Sequence, residues 1–326
     1  MKTLRLKRLA VALTTGSLCL VSAHAGPYSN IYFFGDSVSD SGNVALVIGQ
    51  PSGVPQAVTG NSYIPGYPYY PTGRFSNGPV WPEDFAAKFG LSAAPSLAGG
   101  TDFAFAGART GGPDVPVPTL TTQSVMFLDR VSRKAPSDAL YVVAEVGNDA
   151  RDALLAMAGG ANIPQTIAAA ATAYANNLRS LVDSLRDAGA TQFLVFDNVN
   201  LGVVPAIVSM GPDAAGLATA LTASMNQALL ARLDGEAGVR VFDTFSFLTG
   251  VVRNPQTYGF TNATDACAAV IAADCSTYVF WDGLHPTAAM HERIALAAVP
   301  EPRANLLLLG GLLSLVFARR RRHGAS

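Results

Sequence analysis

The sequence is poor in charge, cysteine and histidine, and each shortage excludes something. Lys, Arg, Asp and Glu make up only 14% of 326 residues. The 273 residues from 26 to 298 hold 13 Lys and Arg against 22 Asp and Glu, a net of −9. So acidic a body argues against nucleic-acid binding. There are three cysteines, and Cys19 falls in an N-terminal apolar run, which leaves Cys267 and Cys275. One pair with so few histidines nearby is a poor metal-ligand set. Of four histidines, His24 and His323 lie in the terminal segments. The body therefore has only His285 and His291 to act as a base. Apolar runs approaching membrane length occur only at the two ends.

The N-terminal end reads as a secretory signal over residues 1–25. Lys2, Arg5, Lys7 and Arg8 precede an apolar run at 9–21, and Ala23-His24-Ala25 is a small-x-small cleavage site. At the other end Val299-Pro300-Glu301-Pro302 leads into an apolar stretch 15 residues long, 304–318, and then Arg319 to Arg322. That run gives about 22 Å of helix against a hydrocarbon core of about 30 Å. The arrangement over 299–326 resembles a PEP-CTERM sorting signal. The resemblance implies transient membrane contact through the tail, cleavage by an exosortase-type enzyme, and release to the cell surface or exopolysaccharide. Signal peptidase is the partner expected at the N-terminus. In an oxidising compartment Cys267 and Cys275 are expected to form a disulfide.

Residues 26–298 suit one α/β domain. Continuous apolar runs at 30–34, 101–105, 140–146, 192–197 and 239–242 read as parallel strands covered on both faces. Between them, Tyr174, Leu178, Leu181, Val182 and Leu185 recur at helical spacing, as do Leu217, Leu221, Met225, Leu229 and Leu233. Both stripes read as core, and strands alternating with helices point to a doubly wound sheet. Residues 50–82 break the order. They are rich in Gly, Pro, Tyr and Asn, and either line a cleft with Tyr63, Tyr67, Tyr69, Tyr70 and Trp81 or form a Pro-rich surface loop.

Ser37 follows the first strand and Gly35, at the end of a sheet where ligands bind. A serine nucleophile needs a base. His285 stands in Asp282-Gly283-Leu284-His285, so one turn can carry both the base and a carboxylate to orient it. His291 falls in a helical run at 287–298 and reads as packing or surface. Asn148, after the third strand, can donate its amide to an oxyanion, and Gly107, after the second, its backbone N–H.

Together these segments resemble the GDSL lipase/esterase family, also called the SGNH hydrolase superfamily. Phe33-Phe34-Gly35-Asp36-Ser37-Val38-Ser39-Asp40-Ser41-Gly42-Asn43 is similar to its first block, with Val38 at the usual Leu. Residues 101–110, Val146-Gly147-Asn148-Asp149 and Asp282-Gly283-Leu284-His285-Pro286 resemble later blocks. Gly73 to Trp81 and Leu201-Gly202 resemble segments of the longer members. No Gly-x-Ser-x-Gly surrounds Ser37, which disfavours the α/β-hydrolase elbow.

The resemblance implies a three-layer α/β/α sandwich with a flavodoxin-like parallel sheet. It implies Ser37 as nucleophile, His285 as base and acid, and Asp282 as orienting carboxylate. Ser37 N–H, Gly107 N–H and the Asn148 amide then form the oxyanion hole. No metal or organic cofactor is implied. The expected activity is hydrolysis of a small or lipid ester. Polysaccharide O-deacetylation and phospholipase or acyltransferase activity are the alternatives within the family. A non-catalytic matrix or surface binding protein is the alternative of another class.

Overall fold

The computed structural model describes residues 27–49, 57–69, 72–114, 116–270 and 274–299. The secretory signal expected at 1–25, and the sorting tail beyond Val299, lie outside them. Among the described residues no helix is long and apolar enough to cross a membrane.

Four parallel strands stand side by side: β1 (Ile31–Gly35), β2 (Leu140–Ala144), β3 (Gln192–Phe196) and β4 (Val239–Phe242). They fall where the apolar runs place them. The helices in chain order are α1 (Asn43–Ile48), α2 (Trp81–Ala87), α3 (Leu120–Arg130), α4 (Asn148–Ala158), α5 (Ile163–Asp187), α6 (Pro205–Val208), α7 (Pro212–Leu233), α8 (Thr244–Arg253) and α9 (Ala288–Ala298). All five residues of β2 are buried, as expected of a central strand with helices on both faces. Burial of Leu140, Val142 and Val143 stabilises by about 1.5–3 kcal/mol each relative to exposure.

The expected strand at 101–105 is incomplete. The segment does lie along the free edge of β1. Phe33 N–H donates to Thr101 O (3.1 Å), and Phe103 and Phe105 N–H donate to Phe33 O (2.8 Å) and Gly35 O (3.1 Å). Its outward edge meets backbone at Asp102, whose N–H donates to Ala94 O (3.0 Å) and whose carbonyl accepts from Ser96 N–H (2.6 Å), and a side chain beyond. Asn43 Nδ2 donates to Asp102 O (2.8 Å) and Ala104 O (2.9 Å). The short bridge at Asp102 and this one amide together cover the edge. With this segment counted, the chain order across the sheet is 2-1-3-4-5, the flavodoxin-like order, whose crevice opens where the order reverses, between β1 and β2.

Alternate side chains of β1 serve the two outer layers. Phe33 meets Trp81 and Phe85 of α2, while Tyr32 and Phe34 meet Phe127 of α3. On one face α3 and α7 pack against α5; on the other α2 packs against α9. The buried stripe of α5 is the one its spacing marks, Tyr174, Leu178, Leu181, Val182 and Leu185. Asn162 caps the start of α5 by accepting from Gln165 N–H (3.1 Å). At its end Gly189 has φ +115°, and a Cβ there would stand 2.9 Å from Ala135 O.

A small parallel pair, β5 (Asn262–Ala266) and β6 (Tyr278–Phe280), is absent from the sequence reading. Its residues Asn262, Thr264 and Asp265 are too polar to register as a buried strand. Cys267 follows β5 directly and is bonded to Cys275, with Cα atoms 5.6 Å apart. The expected pairing is thus formed, just ahead of the Asp282–His285 turn.

Candidate active site

Side-chain carboxylates shape the loop that carries Ser37. Asp36 accepts from Val38 N–H (2.9 Å) and Val146 N–H (3.0 Å), tying the end of β1 to the segment beyond β2. Asp40 accepts from Gly42 (2.8 Å), Asn43 (2.6 Å) and Ala106 (3.0 Å) N–H groups. Both carboxyls are buried. Burial pushes Asp36 up to about 6 and raises Asp40, although bonds from backbone N–H groups pull the other way. From α3, Gln123 accepts from Gly35 N–H and donates to Gly35 O, each at 2.9 Å. A Cβ at Gly35 would lie 2.8 Å from Ala144 O, so glycine lets β1 and β2 close up at this point.

Ser37, His285 and Asp282 meet in one line. Ser37 Oγ is 2.8 Å from His285 Nε2, and His285 Nδ1 is 2.8 Å from Asp282 Oδ2. Asp282 also accepts from Leu284 N–H (2.7 Å), His285 N–H (2.8 Å) and the Tyr69 hydroxyl (2.9 Å). With Nδ1–H donated to Asp282, Nε2 is left to accept the proton of Ser37. Asp282 is fully buried, and His285 and Ser37 are 2% and 8% exposed. Burial, and then the charge of Asp282, raises the Tyr69 hydroxyl far above its ordinary range, so it stays a donor.

The irregular stretch 57–82 builds the support for this turn. Gly283 N–H donates to Tyr63 O (2.9 Å), and a Cβ on Gly283 would lie 2.4 Å from Asn61 O and 2.6 Å from Tyr63 O. Ser76 Oγ donates to Pro286 O (2.9 Å), and Asn77 Oδ1 accepts from Ala288 N–H (2.8 Å). The Phe75 ring centre is 5.2 Å from that of His285. The expected cleft lining is met at Trp81, which borders the cavity beside Ser37. Of the other aromatics, Tyr69 touches the triad, Tyr67 is 45% exposed, and Tyr70 lies outside the described residues.

The expected oxyanion donors converge on the same strand ends. Asn148 is the first residue of α4, where backbone N–H groups and the helix dipole favour negative charge. Glu145 Oε1 holds this helix start by accepting from the N–H groups of Gly147 (3.2 Å), Asn148 and Asp149 (3.1 Å). Burial, with the charges of Asp149 and Asp36, lifts Glu145 well above the usual carboxylate range. Asn148 Nδ2 donates to Ala108 O at 3.0 Å and lies 3.4 Å from Asp36 Oδ2. Gly107 (φ +84°) sits in the turn closed by Ala108 N–H and Phe105 O (3.0 Å), a conformation that favours glycine. Among the described residues, the N–H groups of Ser37 and Gly107 have no intramolecular acceptor.

His291 takes the packing role. It is fully buried, and its Nδ1 accepts from Trp81 N–H (3.2 Å). Burial and the neighbouring His285 lower it to about 3, so it is neutral. Among the described residues no group of three His, Cys, Asp or Glu is placed to hold a metal ion. Tyr69 is among the expected cleft aromatics, but its bond to Asp282 was not legible, and nothing in the neighbourhoods of Gln123 and Glu145 marks them as site residues.

This arrangement joins a serine, a histidine base and a buried carboxylate at the crevice of a parallel sheet. The sequence profile of the GDSL-like lipase/acylhydrolase family matches residues 31–298. The chain belongs to this family. It is 28% identical to a GDSL esterase/lipase of Arabidopsis thaliana, over 94% of this chain and 100% of that protein. It is 24% identical to acetylajmalan esterase 2 of Rauvolfia serpentina, over 84% and 90% of the two chains. It is 28% identical to the phosphatidylcholine-sterol acyltransferase of Aeromonas hydrophila, over 89% and 94%. The protein is a GDSL-type hydrolase of ester bonds with the three-layer fold of that family.

Proposed function

We propose that the protein cleaves carboxylic esters through an acyl-enzyme on Ser37. The observation that carries this reading is the hydrogen-bonded line from Ser37 Oγ through His285 to Asp282. Ser37 Oγ attacks the ester carbonyl while His285 Nε2 takes the hydroxyl proton. General-base help of this kind is worth about 10²–10⁴ in rate. The oxyanion is held by the Ser37 and Gly107 N–H groups and by Asn148 Nδ2. Asn148 gives up its long contact to Asp36 and keeps its bond to Ala108. His285 then protonates the leaving alcohol as the tetrahedral intermediate collapses. Water deprotonated by His285 attacks the acyl group, and Ser37 recovers its proton.

The experiment is hydrolysis of p-nitrophenyl esters by wild type and Ser37→Ala. Wild type is expected to turn over and the variant to lose activity by several orders of magnitude. Equal rates would sink the assignment of Ser37, and no turnover by wild type would leave a binding protein on a hydrolase scaffold. A second reading, transfer of the acyl group to an alcohol, rests on the similarity to the A. hydrophila acyltransferase and shares the acyl-Ser37 step. Product analysis with added alcohol separates the two.

We also read the enzyme as exported, held briefly in the membrane by its tail, and released to the surface or matrix, where it meets its substrate. Release without Arg319–Arg322 is expected by mass spectrometry; finding them on released protein refutes the processing.

A further inference from the structure

An apolar cavity of about 60 Å³ borders Ser37 and Asn148. It lies between the sheet and the layer formed by α2, α8 and α9. Its walls away from Ser37 include Phe196, Leu248, Val279, Met290 and Ile294. None of these five is more than 7% exposed. The two walls with polar side chains besides Ser37 and Asn148 are already satisfied. Asp36 accepts from backbone N–H groups, and Thr244 Oγ1 donates to Phe242 O (3.3 Å). A water placed there would find too few partners, and a space of that kind stays dry and accepts apolar groups. Trp81 and Phe196, stacked with ring centres 4.5 Å apart, make one wall stiff.

We propose that this cavity receives the acyl chain of the ester and restricts the enzyme to short chains, with butanoyl the best fit. The proposal rests on the reading of Ser37 as nucleophile, because the acyl carbon must sit at its Oγ. An apolar cavity of about 150 Å³ takes a six-carbon ring, so this space takes roughly two to three carbons beyond the carbonyl. An acyl group of about four carbons places its carbonyl carbon at Ser37 and its tail among the apolar walls, Leu248 and Ile294 included. Longer chains meet those buried side chains. The substrate class is therefore short acyl esters, not long-chain lipids. Burial of each methylene is worth about fourfold in kcat/KM while there is space for it.

The test is kcat/KM of the full-length protein for p-nitrophenyl acetate, propanoate, butanoate, hexanoate and decanoate. The expected profile rises to butanoate and falls at least tenfold by decanoate. Leu248→Phe is expected to lower the butanoate-to-acetate ratio, and Leu248→Ala to move the maximum to a longer chain. A wild-type profile that climbs to decanoate overturns the proposal. So do unchanged ratios in both variants when circular dichroism shows them folded. Loss of one variant to misfolding leaves the wild-type profile to decide. Failure of the underlying reading looks different: Ser37→Ala would then hydrolyse acetate at the wild-type rate, whatever the chain-length profile.

Discussion

The Tyr69 hydroxyl donates to Asp282 Oδ2 at 2.9 Å, on the same oxygen that receives His285 Nδ1. These residues are 213 apart in sequence, and no spacing rule links them. Tyr69 is a positioning residue: it fixes the carboxylate that fixes the base. A hydrogen bond to a charged group is worth about 1.5–3 kcal/mol. Tyr69→Phe is expected to lower kcat roughly tenfold with little change in KM. In an Asp282→Ala background the same substitution should cost almost nothing. A full loss in that background would show that Tyr69 acts elsewhere.

Asn148 is expected to act on the transition state. Asn148→Ala should lower kcat by about 10²–10³ and leave KM near the wild-type value, the cost of one lost oxyanion donor. Steady-state kinetics on a short-chain ester checks it. A loss confined to KM would place Asn148 in ground-state binding.

Most of the fold was legible because it is a property of local pattern. The runs at 30–34, 140–146, 192–197 and 239–242 became β1 to β4; the first three are largely buried and so apolar throughout, while β4, at the sheet edge, is only half-buried and carries Arg240. The stripes of α5 and α7 were legible for the same reason. The site was legible only where a residue's scarcity or its neighbours identified it, as with His285 and its nearby Asp282. What the sequence hides is packing at a distance. Tyr69 beneath Asp282, Gln123 on Gly35 and Asn43 on the carbonyls of Asp102 and Ala104 join segments tens to hundreds of residues apart. The polar pair β5 and β6 carries too little apolar signal to be seen.

Gly283 is the tightest point under the catalytic turn. A methyl group there would stand 2.4 Å from Asn61 O and 2.6 Å from Tyr63 O, both backbone atoms with little room to yield. Gly283→Ala should therefore cost about 1–3 kcal/mol in stability, as overpacking does. It should also reduce kcat, because relief of the clash moves Asp282 and His285 together. Urea unfolding and ester hydrolysis measure the two effects. Unchanged activity would mean the turn moves without disturbing the line to Ser37.

His291 makes stability depend on pH. In the folded protein it is lowered to about 3. In the unfolded chain its value is about 6.5. Between these values the unfolded chain binds a proton that the folded protein does not, so this contribution is lost as pH falls from 6.5 toward 3. Asp36, raised to about 6 in the fold, acts in the opposite sense between about 4 and 6. The comparison with His291→Asn, which removes the titrating group, isolates the first effect. Between pH 7 and pH 4.5 wild type is expected to lose stability relative to the variant by on the order of a few kcal/mol in urea unfolding. Parallel pH curves for the two proteins would contradict it.

The most direct test of the account is covalent capture of the nucleophile. The protein is treated with an alkyl fluorophosphonate, and the adduct is mapped by peptide mass spectrometry. The account predicts one adduct, on Ser37, with activity lost in proportion to labelling and no labelling in His285→Ala on the same timescale. An adduct on another residue, or full activity after complete labelling of Ser37, would contradict it.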